Sequence, residues 1–256
     1  MHRHDNFSES DLAGLNVIII REVDSTNNYA NALLDREKPA EGTIVLTFRQ
    51  MKGRGYASNV WKSEPEQNLT FSLILYPDFL PAARQFLLSQ LISLGIARFL
   101  LTETGGVSIK WPNDILIGNR KVAGILVENR IQGEFLQSSV IGIGLNLNQQ
   151  QFPDDLSRAV SLGMVTGKFH PPVLTLKMIA DEIFMLYNLL KTSGSELIHT
   201  QYLDHLYRYG EISRFRSQGE VFEAKISGID EYGQLVLKQS NGISTAWPFK
   251  TIELIF

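Results

Sequence analysis

The chain has 256 residues, 44% of them hydrophobic and 20% charged, with a formal net charge of −3 and no cysteine. These values suit a globular protein of one large domain, or a large and a small one, with a real core. They exclude disulfides, thiolate nucleophiles, cysteine-ligated metals and a global basic field that would draw the chain onto nucleic acid.

Met1-His2-Arg3-His4-Asp5 lacks the apolar run of a signal peptide, and residues 1–15 are polar and expected to be loosely held. Val17-Ile18-Ile19-Ile20 is a β-branched run that predicts a buried strand. Within Asp24-Ser25-Thr26-Asn27-Asn28, Asp24 or Ser25 can N-cap a helix to about Arg36, with Tyr29, Ala32 and Leu33 on its apolar face. Thr43 to Phe48 reads as a strand. The loop from Arg49 to Trp61 then places Arg54 between Gly53 and Gly55 in a stretch rich in cations and amides. Such a loop can wrap backbone N–H groups and a guanidinium around a phosphate or carboxylate, although a surface turn explains Gly-Arg-Gly alone more often. It is neither a Walker A loop nor a dinucleotide fingerprint, since no Gly-Lys-Ser/Thr follows and the third glycine is missing.

Asn68 to Tyr76 alternates as a strand, and Pro81 opens a long helix to about Leu101 that Gly105-Gly106 closes. Ser89, Gln90, Ser93 and Arg98 interrupt its apolar run, so it reads as a buried amphipathic helix and not a membrane span. A soluble, cytoplasmic protein without membrane contact is expected. Val107, Ile109 and Trp111 alternate before the turn Pro112-Asn113-Asp114, Ile115 and Ile117 alternate after it, and Gly118-Asn119 forms a second turn. Lys110, Asn113, Asp114 and Lys121 are thereby fixed on a β scaffold, which suits accurate holding of an anionic ligand. Any one lysine is better read as solvated. The whole string is not, because a turn needs no Trp before its Pro.

Val122 to Ile131 and Glu134 to Gly144 predict another strand pair, turned at Gln132-Gly133. In Gly142-Ile143-Gly144-Leu145-Asn146-Leu147-Asn148, small residues let a flat ligand approach the backbone and two asparagines offer hydrogen bonds. A glycine-kinked strand with a polar exit accounts for the same residues equally well in isolation. Residues 149–173 are loop-rich. Helices follow over Val173–Leu190 and Ser195–Tyr207, the second with Leu197, Tyr202, Leu203 and Leu206 on its face. After Gly210 short alternating runs split by turn residues predict five strands of a small β-barrel, too small to stand alone and so packed on the first domain. The expected domains are residues 1–209 and 210–256.

Six motifs stand in fixed order: Asp24-Ser25-Thr26-Asn27; Gln50-x-x-Gly53-Arg54-Gly55; Trp61; Lys110-Trp111-Pro112-Asn113-Asp114; Lys121-x-x-Gly124-Ile125-Leu126 with Glu128; and Gly142 to Asn148. This series resembles the biotin–protein ligases, strongly over residues 16–150 and through the terminal module, which is similar to that family's SH3-like domain. The resemblance implies an α+β fold: a mixed sheet flanked by helices, related to class II aminoacyl-tRNA synthetases, with a small C-terminal SH3-like β-barrel. It implies that biotin and MgATP give biotinyl-5′-AMP, and that a lysine of a biotin carboxyl carrier protein then attacks it.

The site roles also follow from the resemblance. Lys121 and Arg54 match catalytic cations. Ser25, Thr26, Gln50, Gly53, Arg54, Lys121 and Gly124 match biotin-binding positions, and Gly55, Trp61, Lys110, Asn113 and Asn146 match the nucleotide end. Asp114 is assigned to the acceptor lysine or a metal. Tyr56 and Ser58 depart from the family, which commonly has Arg or Gln and then Gly there, so the loop is expected to close differently, with Tyr56 packing over the adenylate. Some family members carry an N-terminal DNA-binding domain; the Asp24 motif starts too early to leave room for one, and no DNA binding is expected. Monomer and homodimer, the latter through an edge strand, are both open. The rival readings are a lipoate–protein ligase, with the same adenylation logic, and a non-catalytic binding module built on the C-terminal strands.

Overall fold

The computed structural model describes residues 12–55 and 59–255. Seven strands form one sheet: β1 (Val17–Ile20), β2 (Ile44–Thr47), β3 (Leu69–Leu75), β4 (Val107–Lys110), β5 (Asp114–Ile117), β6 (Arg120–Gln132) and β7 (Phe135–Leu145). Their order is β1-β2-β3-β7-β6-β5-β4. The sheet is mixed: β1 and β2 run parallel and the other neighbours antiparallel. Val17–Ile20 was expected as a buried strand. It lies instead at the sheet edge, where Ile19 is 45% exposed, because only β2 pairs with it.

Side chains alternate between the two faces of a strand, so the central strands divide their residues by position. Ile44 and Leu46 of β2, Leu69, Phe71, Leu73 and Leu75 of β3, and Ile141, Ile143 and Leu145 of β7 belong to the large core. That core is shared with α2 (Phe86–Glu103) and α4 (Pro172–Ser193), which pack on each other. Each such side chain removed from water contributes roughly 1.5–3 kcal/mol. On the opposite face Val45, Ile74 and Val140 meet Ala30 and Leu33 of α1 (Thr26–Arg36). The buried face of α1 begins on the polar Thr26 and Asn27; Ala32, expected on the apolar face, is exposed.

Pro81 is followed by a 3-10 turn, Ala82–Arg84, before α2 begins at Phe86. The segment Ala82–Glu103 is long and apolar enough to cross a bilayer, but most of it is buried, and α2 packs on α4 and α5 (Glu196–Asp204). In α5, Ile198 and Tyr202 face the core while Leu197, expected there, is half exposed. The loop-rich 149–173 region contains a 3-10 turn, Asp154–Leu156, and a short helix, α3 (Leu162–Thr166), capped by the Ser161 hydroxyl, before α4 begins at Pro172.

The five expected C-terminal strands are present: β8 (Ile212–Ser217), β9 (Glu220–Ile229), β10 (Leu235–Lys238), β11 (Ser244–Trp247) and β12 (Glu253–Ile255). They form an antiparallel sheet of order β11-β10-β9-β8-β12. β11 and β12 are its two edges, so the hydrogen-bonded ladder is open and is not the closed barrel expected. Phe215, Ile226 and Leu235 join the large core. Trp111, which is joined to Pro112 by a cis bond, makes a central docking contact. Its indole stacks on Phe249 at 5.3 Å and donates to the Gly233 carbonyl at 2.9 Å. Gly233 has φ +88°, and a Cβ there would overlap Phe86, so no other residue fits. The Trp that seemed superfluous to a turn thus ties the hairpin to the C-terminal sheet.

Candidate active site

Helix α1 covers only part of its face of the sheet. Beyond it the strands present small or polar residues, namely Thr70 of β3, Gly124 of β6, and Gly142 and Gly144 of β7. They floor a cavity of about 120 Å³ walled by the start of α1, the glycine loop and the β5–β6 hairpin. This is below the roughly 300–1,000 Å³ of small-molecule pockets.

Lys121 reaches the cavity because β6 carries an extra residue. Opposite β5, Ala123 pairs with Ile115 but Lys121 pairs with Leu116, which leaves Val122 over. Val122 and Ala123 are consecutive and both fully buried, and alternation resumes on either side of them. A β-bulge thereby turns Lys121 to the same face as Gly124. Its backbone is held on the far side as well: Lys121 N–H donates to Arg158 O at 2.7 Å and Val160 N–H to Lys121 O at 2.9 Å. The Lys121 ammonium meets Asp114 Oδ1 at 2.5 Å and lies 5.8 Å from the Trp61 ring centre. Asn113 fixes the turn below: its amide donates to Ile125 O at 3.0 Å and its carbonyl accepts from Ile125 N–H at 3.0 Å.

The glycine loop folds against the segment before α1, with Met51 N–H donating to Val23 O at 2.9 Å and Lys52 N–H to Asp24 O at 2.8 Å. The Asn28 amide hydrogen-bonds the Asp24 carboxylate and is the main cause of its lowered pKa. Trp61 N–H donates to Gly53 O at 3.0 Å, so close that a Cβ on Gly53 would overlap the Trp61 carbonyl. The Trp61 indole lies on the floor, where a Cβ on Gly144 would overlap it and one on Gly124 would touch it. Its ring N–H is buried without a hydrogen-bond partner. The Arg54 guanidinium is held by Glu128, with Nη2 to Oε1 at 2.7 Å and Nη1 to Oε2 at 3.2 Å, and by Asn28 Oδ1 at 2.9 Å from Nη1.

The remaining wall is a hydrogen-bonded set. Gln50 Oε1 accepts from the Thr26 N–H at 2.9 Å, which leaves its amide N–H groups for an acceptor in the cavity. Fully buried Ser72 approaches Asn27 Oδ1 at 2.6 Å and Thr26 Oγ1 at 2.8 Å. The cavity therefore offers two cations, each neutralised by one carboxylate, beside a fixed amide and hydroxyl wall. No group of three His, Cys, Asp or Glu side chains that could hold a metal occurs among the described residues.

Residues 19–146 match the biotin/lipoate A/B protein ligase family model. The bifunctional ligase/repressor BirA of Bacillus subtilis is 33% identical over 240 residues, covering 92% of this chain and 73% of that protein. The chain belongs to the biotin/lipoate A/B protein ligase family. The biotin–[acetyl-CoA-carboxylase] ligase of Paracoccus denitrificans is 29% identical over 230 residues, 88% of this chain and 95% of that one. Among solved structures, the biotin protein ligase from Aquifex aeolicus in complex with biotin and ATP superposes with a TM-score of 0.77 at 26% identity, covering 94% of this chain and 98% of that chain. The mixed sheet with flanking helices is thus the fold of biotin ligases.

Of the residues the family resemblance singles out, Ser25, Thr26, Gln50, Arg54, Gly55, Trp61, Asn113, Asp114, Lys121 and Gly124 line the one cavity. Gly53 adjoins it through its contact with Trp61. Lys110 lies elsewhere, in a cleft between the hairpin and the C-terminal sheet; burial there lowers its pKa, against the nearby Asp114 charge. Asn146 is buried behind the site, its amide 3.4 Å from Lys121 O and 3.3 Å from Val160 O, and so supports the Lys121 backbone. Gly142, read as room for a flat ligand, accommodates Asn27 instead, since a Cβ there would overlap the Asn27 amide. Residues 1–11, Tyr56 and Ser58 lie outside the described residues. Asn27, Thr70 and the supporting Ser72 carried no functional assignment from sequence. The available signal was polar residues at alternate positions of an otherwise apolar strand.

Proposed function

We propose that this protein adenylates biotin with MgATP and transfers the biotinyl group from biotinyl-5′-AMP to a lysine of a biotin carboxyl carrier protein. The observation that carries this reading is the convergence of Lys121 and Arg54, from β6 and the glycine loop, on one cavity with an amide wall. In the first step a carboxylate oxygen of biotin attacks the α-phosphorus and pyrophosphate leaves. In the second a lysine amine attacks the acyl carbonyl and AMP leaves. Two anions must meet in the first step, and a charge-assisted contact to each stabilises the encounter by roughly 1.5–3 kcal/mol. Lys121 serves between carboxylate and phosphate, Arg54 grips phosphate, and the Ser25, Thr26 and Gln50 wall binds the polar head of biotin. Gly53, Gly55 and Gly124 let the backbone approach the ligand. The Trp61 indole stacks against the nucleotide, and room for it comes from the indole leaving Gly144.

Lys110 contributes long-range positive charge, and Asn113 and Asn146 position the nucleotide end through the backbone. Magnesium keeps most of its waters and binds through phosphates with one or two carboxylates, so the Asp114 carboxylate beside Lys121 suits it. Asp114 equally suits the incoming acceptor lysine.

The reading extends to an SH3-like module over residues 210–256 on a catalytic domain of 1–209, a cytoplasmic location without membrane contact, no DNA partner, and a monomer or a homodimer. The relative named biotin–[acetyl-CoA-carboxylase] ligase and the superposition on a biotin ligase with biotin and ATP favour biotin over lipoate. The test is ATP–pyrophosphate exchange on the purified protein with biotin or lipoate in parallel. Biotin-driven exchange is expected; exchange driven by lipoate alone would reassign the acid, and none with either would remove the ligase reading.

A further inference from the structure

Glu128 stands outside the cavity lining but receives every donor in its corner. Its Oε2 accepts from the Asn27 amide at 2.9 Å, the Asn31 amide at 3.3 Å and Arg54 Nη1 at 3.2 Å, and its Oε1 accepts from Arg54 Nη2 at 2.7 Å. All four bonds point toward Glu128, so the corner requires a group that accepts at both ends. We propose that Glu128 is a positioning residue of the ligase: it holds Arg54 end-on, so that the guanidinium's other edge meets a phosphate of the nucleotide. The inference rests on the ligase reading above.

The geometry of guanidinium carries the argument. Arg54 has five N–H donors in a plane. Three go to Glu128 and Asn28, from Nη1 and Nη2. The two left, Nε–H and the adjacent Nη2 N–H, form the side-on fork that matches two phosphate oxygens, and no described residue occupies it. Glu128 is itself oriented from the cavity floor. The single proton of buried Ser72, placed on Asn27 Oδ1 at 2.6 Å, turns the Asn27 NH2 toward Glu128, and Gly142 leaves the space for that side chain. Ser72, Asn27, Glu128 and Arg54 thus form one line from β3 to the glycine loop.

The test uses the full chain with Glu128→Gln, Glu128→Asp, Arg54→Ala and the Arg54→Ala/Glu128→Gln pair. In either orientation a glutamine at 128 turns an NH2 toward an existing donor, whereas aspartate keeps two acceptors. In biotin-dependent exchange Glu128→Gln should raise KM for ATP about ten-fold with kcat within about three-fold, the signature of weakened binding. Glu128→Asp should recover part of that loss, and Glu128→Gln should add nothing to Arg54→Ala. An unchanged KM for ATP, or independent multiplying losses in the pair, overturns the positioning role. Calorimetric titration with ATP on the same proteins reads the phosphate contact without chemistry. If the wild type shows no biotin-driven exchange, the ligase reading fails, and the ATP affinities of wild type and Glu128→Gln then decide the inference alone: a weaker variant upholds it and equal affinities overturn it.

Discussion

The two faces of the seven-stranded sheet are built from the same strands and do different work. On β3, Leu69, Phe71, Leu73 and Leu75 enter the large core, while Thr70 and Ser72 belong to the site. On β7, Ile141, Ile143 and Leu145 enter the core, while Gly142 and Gly144 border the cavity. On β6, Ala123 and Ile125 pack in the core and Gly124 and Leu126 line the cavity. Stability and function are therefore separated by one residue along the chain, and Lys121 crosses from one set to the other only through the bulge at Val122. A substitution should be readable as structural or functional from its parity.

Phe71→Ala gives the largest expected effect. Phe71 is 1% exposed, so truncation removes its burial and leaves a cavity, for a loss of about 3–5 kcal/mol in unfolding free energy. Urea titration measures it, and KM values of the folded fraction should stay near wild type. Lys121→Ala reverses the pattern: a loss of at least roughly 100-fold in biotin-dependent exchange, about 2.7 kcal/mol of transition-state stabilisation, with little change in the urea midpoint. Near-normal exchange would remove Lys121 from its assigned role. Large stability losses from Lys121→Ala would break the separation of the faces.

Gly144→Ala tests the floor. Its added methyl overlaps the Trp61 indole, which must move, at a strain of about 1–3 kcal/mol. The expected result is a change in Trp61 emission, read in a background where Trp111 and Trp247 are Phe, with a raised KM for ATP. An unchanged spectrum would show that the indole does not rest on Gly144.

The core face was legible because its signal is local. Alternating Leu, Ile and Phe fix both the strand and the side that is buried, and the helices over Phe86–Glu103 and Pro172–Ser193 followed from their own periodicity. The edge position of Val17–Ile20 was not, since four β-branched residues look alike at an edge and in the centre; only the pairing partners differ. In the site, motif order named most of the cavity lining. It did not reveal that Lys121 and Arg54 are each paired with a carboxylate, because Asp114 lies across a hairpin and Glu128 is 74 residues from Arg54. Nor did it separate Lys110 from Lys121: both are lysines on neighbouring strands close to the same turn, and only the cross-strand register, with the bulge it places beside Lys121, brings Lys121 to the cavity.

The smallest expected effect lies on the core side and depends on pH. Burial raises the pKa of Glu41, but the Lys191 ammonium, the Tyr76 N–H and the Tyr187 hydroxyl all donate to it and hold it below its ordinary value. A carboxylate whose folded pKa is depressed adds stability that is present above its unfolded value near 4.5 and is lost as pH falls through the folded value. Because the pair with Lys191 is about a third exposed, screening limits the gain to about 1 kcal/mol or less. Glu41→Gln should therefore lower the urea midpoint slightly at pH 7 and converge on wild type as the pH drops below 4.5, while KM for ATP stays unchanged at pH 7. A gap that persists at low pH would mean that Glu41 acts through its shape and not its charge. A shift in KM would mean that the two faces are coupled through the sheet, against the parity rule.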